Sequence, residues 1–363
     1  MFRTAALLAC FAATLTLARA EIPVAEIDAA LKKKVKEKVA DVELFSDTLR
    51  TGVAAHPEIE LLLRLPQSLE TIAAKLPLGA PLAGAGTKGV LVYCTWEDDV
   101  ADLRKFLQSR KHPVVKWADE RGLAIITFDT ATMWKKRTST RALSPKERSR
   151  QDYDFDRIAS VWERGARGLC SRHGLSDEGF LLYGMSRGAH YAHRLVVRAP
   201  ERFDAVHLHV GNSYDLPEKH ADRICWLITT GNHDAGFDEA WRYYQSSREA
   251  GHPILFRSFF GMGHGSDGRV TEIRNAFFDY VLDLRENNNR PLGISSAFAA
   301  GQLLAQIKES PWVADSINGL VYPKKRSGEI PISQQIPIPN RELAEQWGRV
   351  LASDDDKKGV PGL

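Results

Sequence analysis

Phe180-Leu181-Leu182-Tyr183-Gly184-Met185-Ser186-Arg187-Gly188-Ala189-His190 joins a short apolar run to a helical pattern through a G-x-S-x-G pentapeptide. Residues 180–183 are too short for a helix and read as a strand, and 187–198 carries apolar residues at helical spacing. A serine at such a junction sits on a strained turn that lifts its Oγ above the end of the sheet. The flanking Gly184 and Gly188 let strand and helix backbones pass closely. The Arg187 N–H, first on the helix, then points where negative charge would develop on an attacked carbonyl. The pattern predicts Ser186 as a nucleophile and Arg187 as an oxyanion donor.

A serine hydroxyl attacks poorly without a base and an acid to orient that base. On a strand–turn–helix frame of this kind they follow the serine in the order acid, then histidine. The last strand-like run, 254–260, leads into Gly261-Met262-Gly263-His264-Gly265. A histidine among three glycines is poorly placed for core packing and well placed to swing over Ser186, so His264 is the expected base. The preceding run, 224–229, leads into Gly231-Asn232-His233-Asp234, which makes Asp234 the expected acid. Asp215, beyond the run 205–210, is its rival. Asp238 is better placed to begin a helix.

Outward from this core the same alternation continues. Apolar runs at 90–94, 123–128, 180–183, 205–210, 224–229 and 254–260 alternate with helical patterns at 99–109, 158–172, 187–198, 238–250 and 270–284. Such alternation predicts a mostly parallel, doubly wound α/β sheet covered on both faces, with right-handed crossovers. No repeat at solenoid periods is present. Ala29, Val35, Val39, Val42, Phe45 and Leu49 form a rough helical stripe and 58–65 begins a second, so 21–86 is expected to be a helical segment ending in a Gly/Pro-rich linker at 77–89. The catalytic unit is then 87–286. Asn287-Asn288-Asn289-Arg290-Pro291 breaks the alternation, and 287–363 is expected as an extension with one small-residue helix, 295–308, followed by irregular chain and a disordered tail at 354–363.

With these motifs in view, residues 87–286 resemble the α/β-hydrolase fold family, in a secreted esterase or dienelactone-hydrolase-like branch. The Ser186-Arg187-Gly188 elbow is similar to those of acetyl and glucuronoyl esterases. In the latter the arginine beside the serine helps to hold the oxyanion, which implies that role for Arg187. Two positions depart from the glucuronoyl pattern, with Met185 in place of its cysteine and Ala189-His190 where its lysine falls. The wider family draws a second oxyanion donor from a His-Gly segment after the first long strand. Here that strand ends Tyr93-Cys94-Thr95-Trp96-Glu97 without glycine, and the N–H of Thr95 or Trp96 is the positional equivalent.

Several other features bound the substrate and the compartment. Trp134 opens a basic stretch, Lys135, Lys136, Arg137, Arg141, Lys146, Arg148 and Arg150, which follows a strand on the side where open α/β sheets bind ligands. Trp96, Trp134 and Arg137 are therefore expected substrate contacts, with a solvated loop as the plainer reading. His207 and His209 share a face of one strand, but no third residue is spaced to complete a zinc site, so they are expected to pack between helix and sheet. Trp117, Trp162, Trp241 and Trp347 lie in helical patterns and are expected to pack. Between Val210 and Ile224 only residues 211–223 intervene, too few for a helical lid, so an open cleft suited to a bulky or polymeric ester is expected.

The first twenty residues differ from the rest. Arg3 precedes an apolar stretch at 5–17, and Ala18-Arg19-Ala20 matches a signal-peptidase site, so 1–20 is expected to be a signal peptide cut before Glu21 and the protein to be secreted or periplasmic. No apolar run of about 20 residues follows, so no membrane span is expected in the exported chain. The chain has 49 basic and 46 acidic residues. Loss of Arg3 and Arg19 leaves a net charge of about +1, without the basic excess of a nucleic-acid-binding protein. Cys94, Cys170 and Cys225 would remain, an odd number with no CxxC spacing.

The reading that follows is an exported serine hydrolase of carboxylic esters, needing no cofactor or metal, whose partner is a small-molecule or polymeric ester. A serine peptidase or acyltransferase would use the same three residues. An inactive binding protein on this fold is a further alternative, disfavoured by the intact Ser, Asp and His. No motif encodes an oligomeric state.

Overall fold

The computed structural model describes residues 44–53, 56–66, 87–94, 99–129, 145–211, 214, 222–286 and 296–351. Eight strands form the main sheet: β1 (Leu44–Val53), β2 (His56–Arg64), β3 (Gly89–Cys94), β4 (Leu123–Phe128), β5 (Phe180–Met185), β6 (Phe203–His209), β7 (Cys225–Gly231) and β8 (Ile254–Phe259). Their order is β1-β2-β4-β3-β5-β6-β7-β8. β2 runs antiparallel to β1 and β4, and β3 to β8 are mutually parallel. This order and direction are those of the α/β-hydrolase fold.

Around the sheet lie α1 (Val100–Gln108), α2 (Pro113–Glu120), α3 (Pro145–Arg172), α4 (Arg187–Arg198), α5 (Phe237–Glu249) and α6 (Gly268–Glu286). Successive strand residues face opposite sides of a sheet, so Phe180 and Tyr183 of β5 report on different faces. Phe180 packs edge-on against Trp162 of α3, whereas Tyr183 lies under the guanidinium of Arg274 of α6. Helices thus cover both faces, which explains why β3, β4, β6, β7 and β8 are buried along their whole length. Trp162 and Trp347 are fully buried and Trp117 nearly so, packing against Phe278 of α6.

The expectation of a helical segment before the first parallel strand does not hold for its described part. Residues 44–53 and 56–64 form a hairpin that extends the sheet, with Asp47 opposite Leu61 and Leu61 opposite Phe128. The Leu-rich run 61–63 lacks the β-branching of a strand, but flanked by two strands and sealed above and below it is completely buried, and pairing overrides local propensity. The hairpin is clamped at its end by buried Arg64, which donates two hydrogen bonds of 2.6 Å to Asp119 of α2. The sheet therefore begins before residue 87. The expected signal peptide 1–20, the stripe up to Val42, the linker up to 86 and the tail 354–363 lie outside the described residues.

The C-terminal extension is not irregular after its helix. Beyond α7 (Ser296–Glu309) come β9 (Trp312–Asp315), β10 (Leu320–Pro323), β11 (Gln335–Ile338), α8 (Arg341–Trp347) and β12 (Arg349–Val350). The strands form a second sheet in the order β11-β9-β10-β12. Strands this short, two of them containing proline, give too few residues for an alternation to stand out. The unit is tied to β8, where Ser258 donates from both its N–H (2.9 Å) and its Oγ (2.7 Å) to the Ser316 carbonyl. Its apolar residues Ile336, Leu343 and Trp347 join the main core. The basic stretch also needs correction, because Lys146, Arg148 and Arg150 lie in the first turns of α3 and not in a loop. Among the described residues no helix is long and apolar enough to cross a membrane, and Cys94, Cys170 and Cys225 are buried free thiols.

Candidate active site

β5 ends in the tight turn that the pentapeptide predicts. Ser186 caps α4 with φ 52° and ψ −116°, a left-handed conformation that costs a non-glycine residue of the order of 1–3 kcal/mol. Gly184 is required beside it. A Cβ there would lie 2.6 Å from the Gly188 carbonyl and 2.7 Å from Ala189 Cα, inside any real contact. The Ser186 N–H donates to the His209 carbonyl of β6 at 2.9 Å, which fixes the turn against the neighbouring strand. The residue that follows β6, Val210, also has a positive φ of 47°. Two strained non-glycine residues thus lie side by side at the strand ends.

Ser186 Oγ is 2.7 Å from His264 Nε2, and His264 Nδ1 is 2.7 Å from Asp234 Oδ2. A carboxylate only accepts, so Nδ1 carries the proton and donates to Asp234, leaving Nε2 to accept from the serine. The Asp234 side chain is 1% exposed and that of His264 43%, so the carboxylate is sealed while the imidazole and half-buried Ser186 remain reachable. The other Asp234 oxygen, Oδ1, accepts from the Gly236 N–H at 2.6 Å, which orients the carboxylate. Asp238 is exposed in the first turn of α5, the place expected for it. Asp215 lies outside the described residues.

The loop that carries His264 is pinned at several points. Asn232 Oδ1 accepts from the Gly261 N–H at 2.8 Å, and the His233 N–H donates to the Met262 carbonyl at 2.9 Å. Gly231 makes this approach possible, since a Cβ there would collide with the Met262 carbonyl and lie 2.5 Å from the Gly263 carbonyl. Sequence reasoning used 231–234 only to find the acid and passed over Gly231 and Asn232. A glycine ending a buried strand is the signal of close backbone approach that it left unused.

At the elbow the N–H groups of Ala189 and His190 donate to the Ser186 carbonyl at 3.0 and 3.4 Å. Arg187 opens α4, the position expected of an oxyanion donor. Cys94, the last residue of β3, is paired in register with Gly184, so the chain leaves β3 beside the elbow. The expected contacts that follow it, Thr95 and Trp96, lie outside the described residues, as do Trp134 and Arg137. Among the described residues no group of three or more His, Cys, Asp or Glu side chains is arranged to hold a metal ion.

Burial dominates the electrostatics below the site. It pushes His209 down to about 4, His193 to about 3 and His207 well below its ordinary value. These imidazoles stay neutral in the folded protein into the acid range, whereas each takes up a proton near pH 6.5 once unfolded. The unfolded state therefore binds more protons between about pH 6.5 and the folded values, so stability falls as pH drops through that window. Together the three give a slope of up to about 4 kcal/mol per pH unit. The urea midpoint should fall steadily from pH 6.5 to pH 4.5, and a midpoint that is flat across this range would contradict the assignment.

No protein-family model matches the chain, and no curated protein matches it. Among solved structures it is similar to a ferulic acid esterase at 16% identity, covering 61% of this chain and 91% of that one with a TM-score of 0.41. It is also similar to a fungal esterase from Rhizomucor miehei at 14% identity, covering 76% and 95% with a TM-score of 0.46. A ferulic acid esterase from the anaerobic fungus Anaeromyces mucronatus is 12% identical, with 66% and 90% covered and a TM-score of 0.44. The fold assignment rests on the strand order and the elbow.

Proposed function

We propose that the chain is an exported serine hydrolase that cleaves carboxylic esters through an acyl-enzyme. The observation that carries this is the unbroken line Ser186 Oγ, His264, Asp234, with both hydrogen bonds at 2.7 Å. His264 takes the serine proton as Ser186 attacks the ester carbonyl, and Asp234 holds the imidazole tautomer and stabilises the imidazolium. The Arg187 N–H and a donor at Thr95 or Trp96 hold the tetrahedral oxyanion. His264 then gives its proton to the leaving alcohol, and water repeats the sequence on the acyl-enzyme.

The exposure of His264 and the short β6–β7 connection favour an open site that accepts a bulky or polymer-linked ester. Trp96, Trp134 and Arg137 are the proposed contacts on its rim. A panel of short acyl esters, acetylated and uronoyl sugar esters and aminoacyl amides tests the reading. Turnover of esters with amides untouched is expected, and turnover of amides alone would replace the esterase with a peptidase. Strong preference for long-chain lipid esters with interfacial activation would contradict the open site.

Export rests on Arg3, the apolar stretch and Ala18-Arg19-Ala20. Intact-mass analysis of protein from the medium or periplasm should give a chain beginning at Glu21. A chain retaining Met1, or lipidated at Cys10, would reject this processing.

A further inference from the structure

Behind the loop of His264 lies a buried polar chain that the proposed reaction leaves unused. His207 and His209 on β6 and Thr229 on β7 are all fully buried and share the face of the sheet occupied by Tyr183. His209 Nε2 lies 2.7 Å from the Gly265 carbonyl, one residue beyond His264. Thr229 Oγ1 lies 2.8 Å from His209 Nδ1 and 2.7 Å from His207 Nε2.

The chemistry of these groups permits one direction of donation. A carbonyl only accepts, so His209 Nε2 carries a proton. Burial keeps the ring neutral, so its Nδ1 is bare and accepts the Thr229 hydroxyl proton. Thr229 Oγ1, its one proton spent, accepts from His207 Nε2–H. The chain therefore runs from His207 Nε2 through Thr229 and His209 to the Gly265 carbonyl, with His207 Nδ1 left as its one unpaired end. The same His209 holds the Ser186 N–H through its own carbonyl. One residue thus grips the nucleophile turn with its backbone and the base loop with its side chain.

We propose that His209, aligned by Thr229 and His207, is a positioning residue that holds the His264 loop in register with Ser186. The inference rests on the serine-hydrolase reading above. Gly261, Gly263 and Gly265 give the loop little stiffness of its own, and a misplacement of about 1 Å at the reacting groups costs about 100-fold in rate. Glutamine at 209 sets its amide nitrogen near the place of Nε2 and keeps the donor to Gly265. Asparagine reaches only as far as Nδ1 and loses it.

The test uses the full chain carrying His209→Gln, His209→Asn, Thr229→Ser or Thr229→Val, each checked for folding by circular dichroism and melting temperature. Two readings are taken. One is the rate at which a fluorophosphonate phosphonylates Ser186, the serine oxygen displacing fluoride from phosphorus. The other is kcat and KM for p-nitrophenyl acetate. His209→Asn and Thr229→Val should slow phosphonylation and kcat by about 10- to 100-fold with KM within about threefold, because geometry and not binding is lost. His209→Gln and Thr229→Ser should recover most of the rate. The low-field proton resonance of the His264–Asp234 bond should broaden in His209→Asn and stay sharp in His209→Gln.

Phosphonylation of a folded His209→Asn at the wild-type rate would overturn the proposal, as would His209→Gln being as slow as His209→Asn. A wild-type chain that is never phosphonylated would instead mark failure of the hydrolase reading. The low-field resonance then decides the positioning claim alone, and equal sharpness in all variants overturns it.

Discussion

Replacing Ser186 with alanine should lower kcat on any accepted ester by on the order of 10⁵-fold while leaving the melting temperature close to wild type. The hydroxyl is half-buried at the head of α4 and makes no side-chain cap to the helix, so removing it takes away little structure. His264→Ala should cost a similar factor, since without an acceptor 2.7 Å away the serine proton has nowhere to go during attack. The double variant should be hardly slower than either single one, because the residues act as a unit. Multiplicative losses in the double variant, or full activity in Ser186→Ala, would remove the mechanism.

Gly231→Ala should be the next most damaging change, although residue 231 lies outside the Ser186–His264–Asp234 line. The added methyl group would occupy space held by the Met262 and Gly263 carbonyls, which are backbone and cannot rotate away. The loop must move, and it carries His264. Overpacking of this kind costs about 1–3 kcal/mol of stability. The displacement of the base should lower kcat by about 100-fold or more. Gly263→Ala, whose Cβ would meet nothing within 4 Å, should be far milder in stability and separates collision from simple stiffening of the loop. Kinetics of the two variants beside their urea midpoints check this. Equal effects would contradict the steric account.

The three side chains that the structure brings together, Ser186, His264 and Asp234, were legible as candidates because each lies at a junction with a strong local signature. Ser186 sits between an apolar strand and an amphipathic helix. Asp234 and His264 could be found by counting strands, since a parallel sheet presents all its strand ends on one side. The hairpin 44–64 was not legible: Leu61, Leu62 and Leu63 owe their strand conformation to β1 and β4 on either side, and no local pattern records those partners. The second sheet was hidden because its strands are short: Gln335–Ile338 buries Ile336 and Ile338 alternately, but over only four residues such a pattern does not stand out. The spacing of His207 and His209 revealed a shared face, yet not the Thr229 hydroxyl that binds both, which arrives from another strand.

The central claim is that Ser186 is the nucleophile and that His264 and Asp234 activate it. The most direct measurement is to treat the protein with a fluorophosphonate and map the adduct by peptide mass spectrometry. A single adduct on the peptide containing Ser186, abolished in Ser186→Ala and strongly slowed in His264→Ala and Asp234→Asn, is the predicted result. An adduct on any other residue, or labelling of Ser186 that is indifferent to His264, would contradict it.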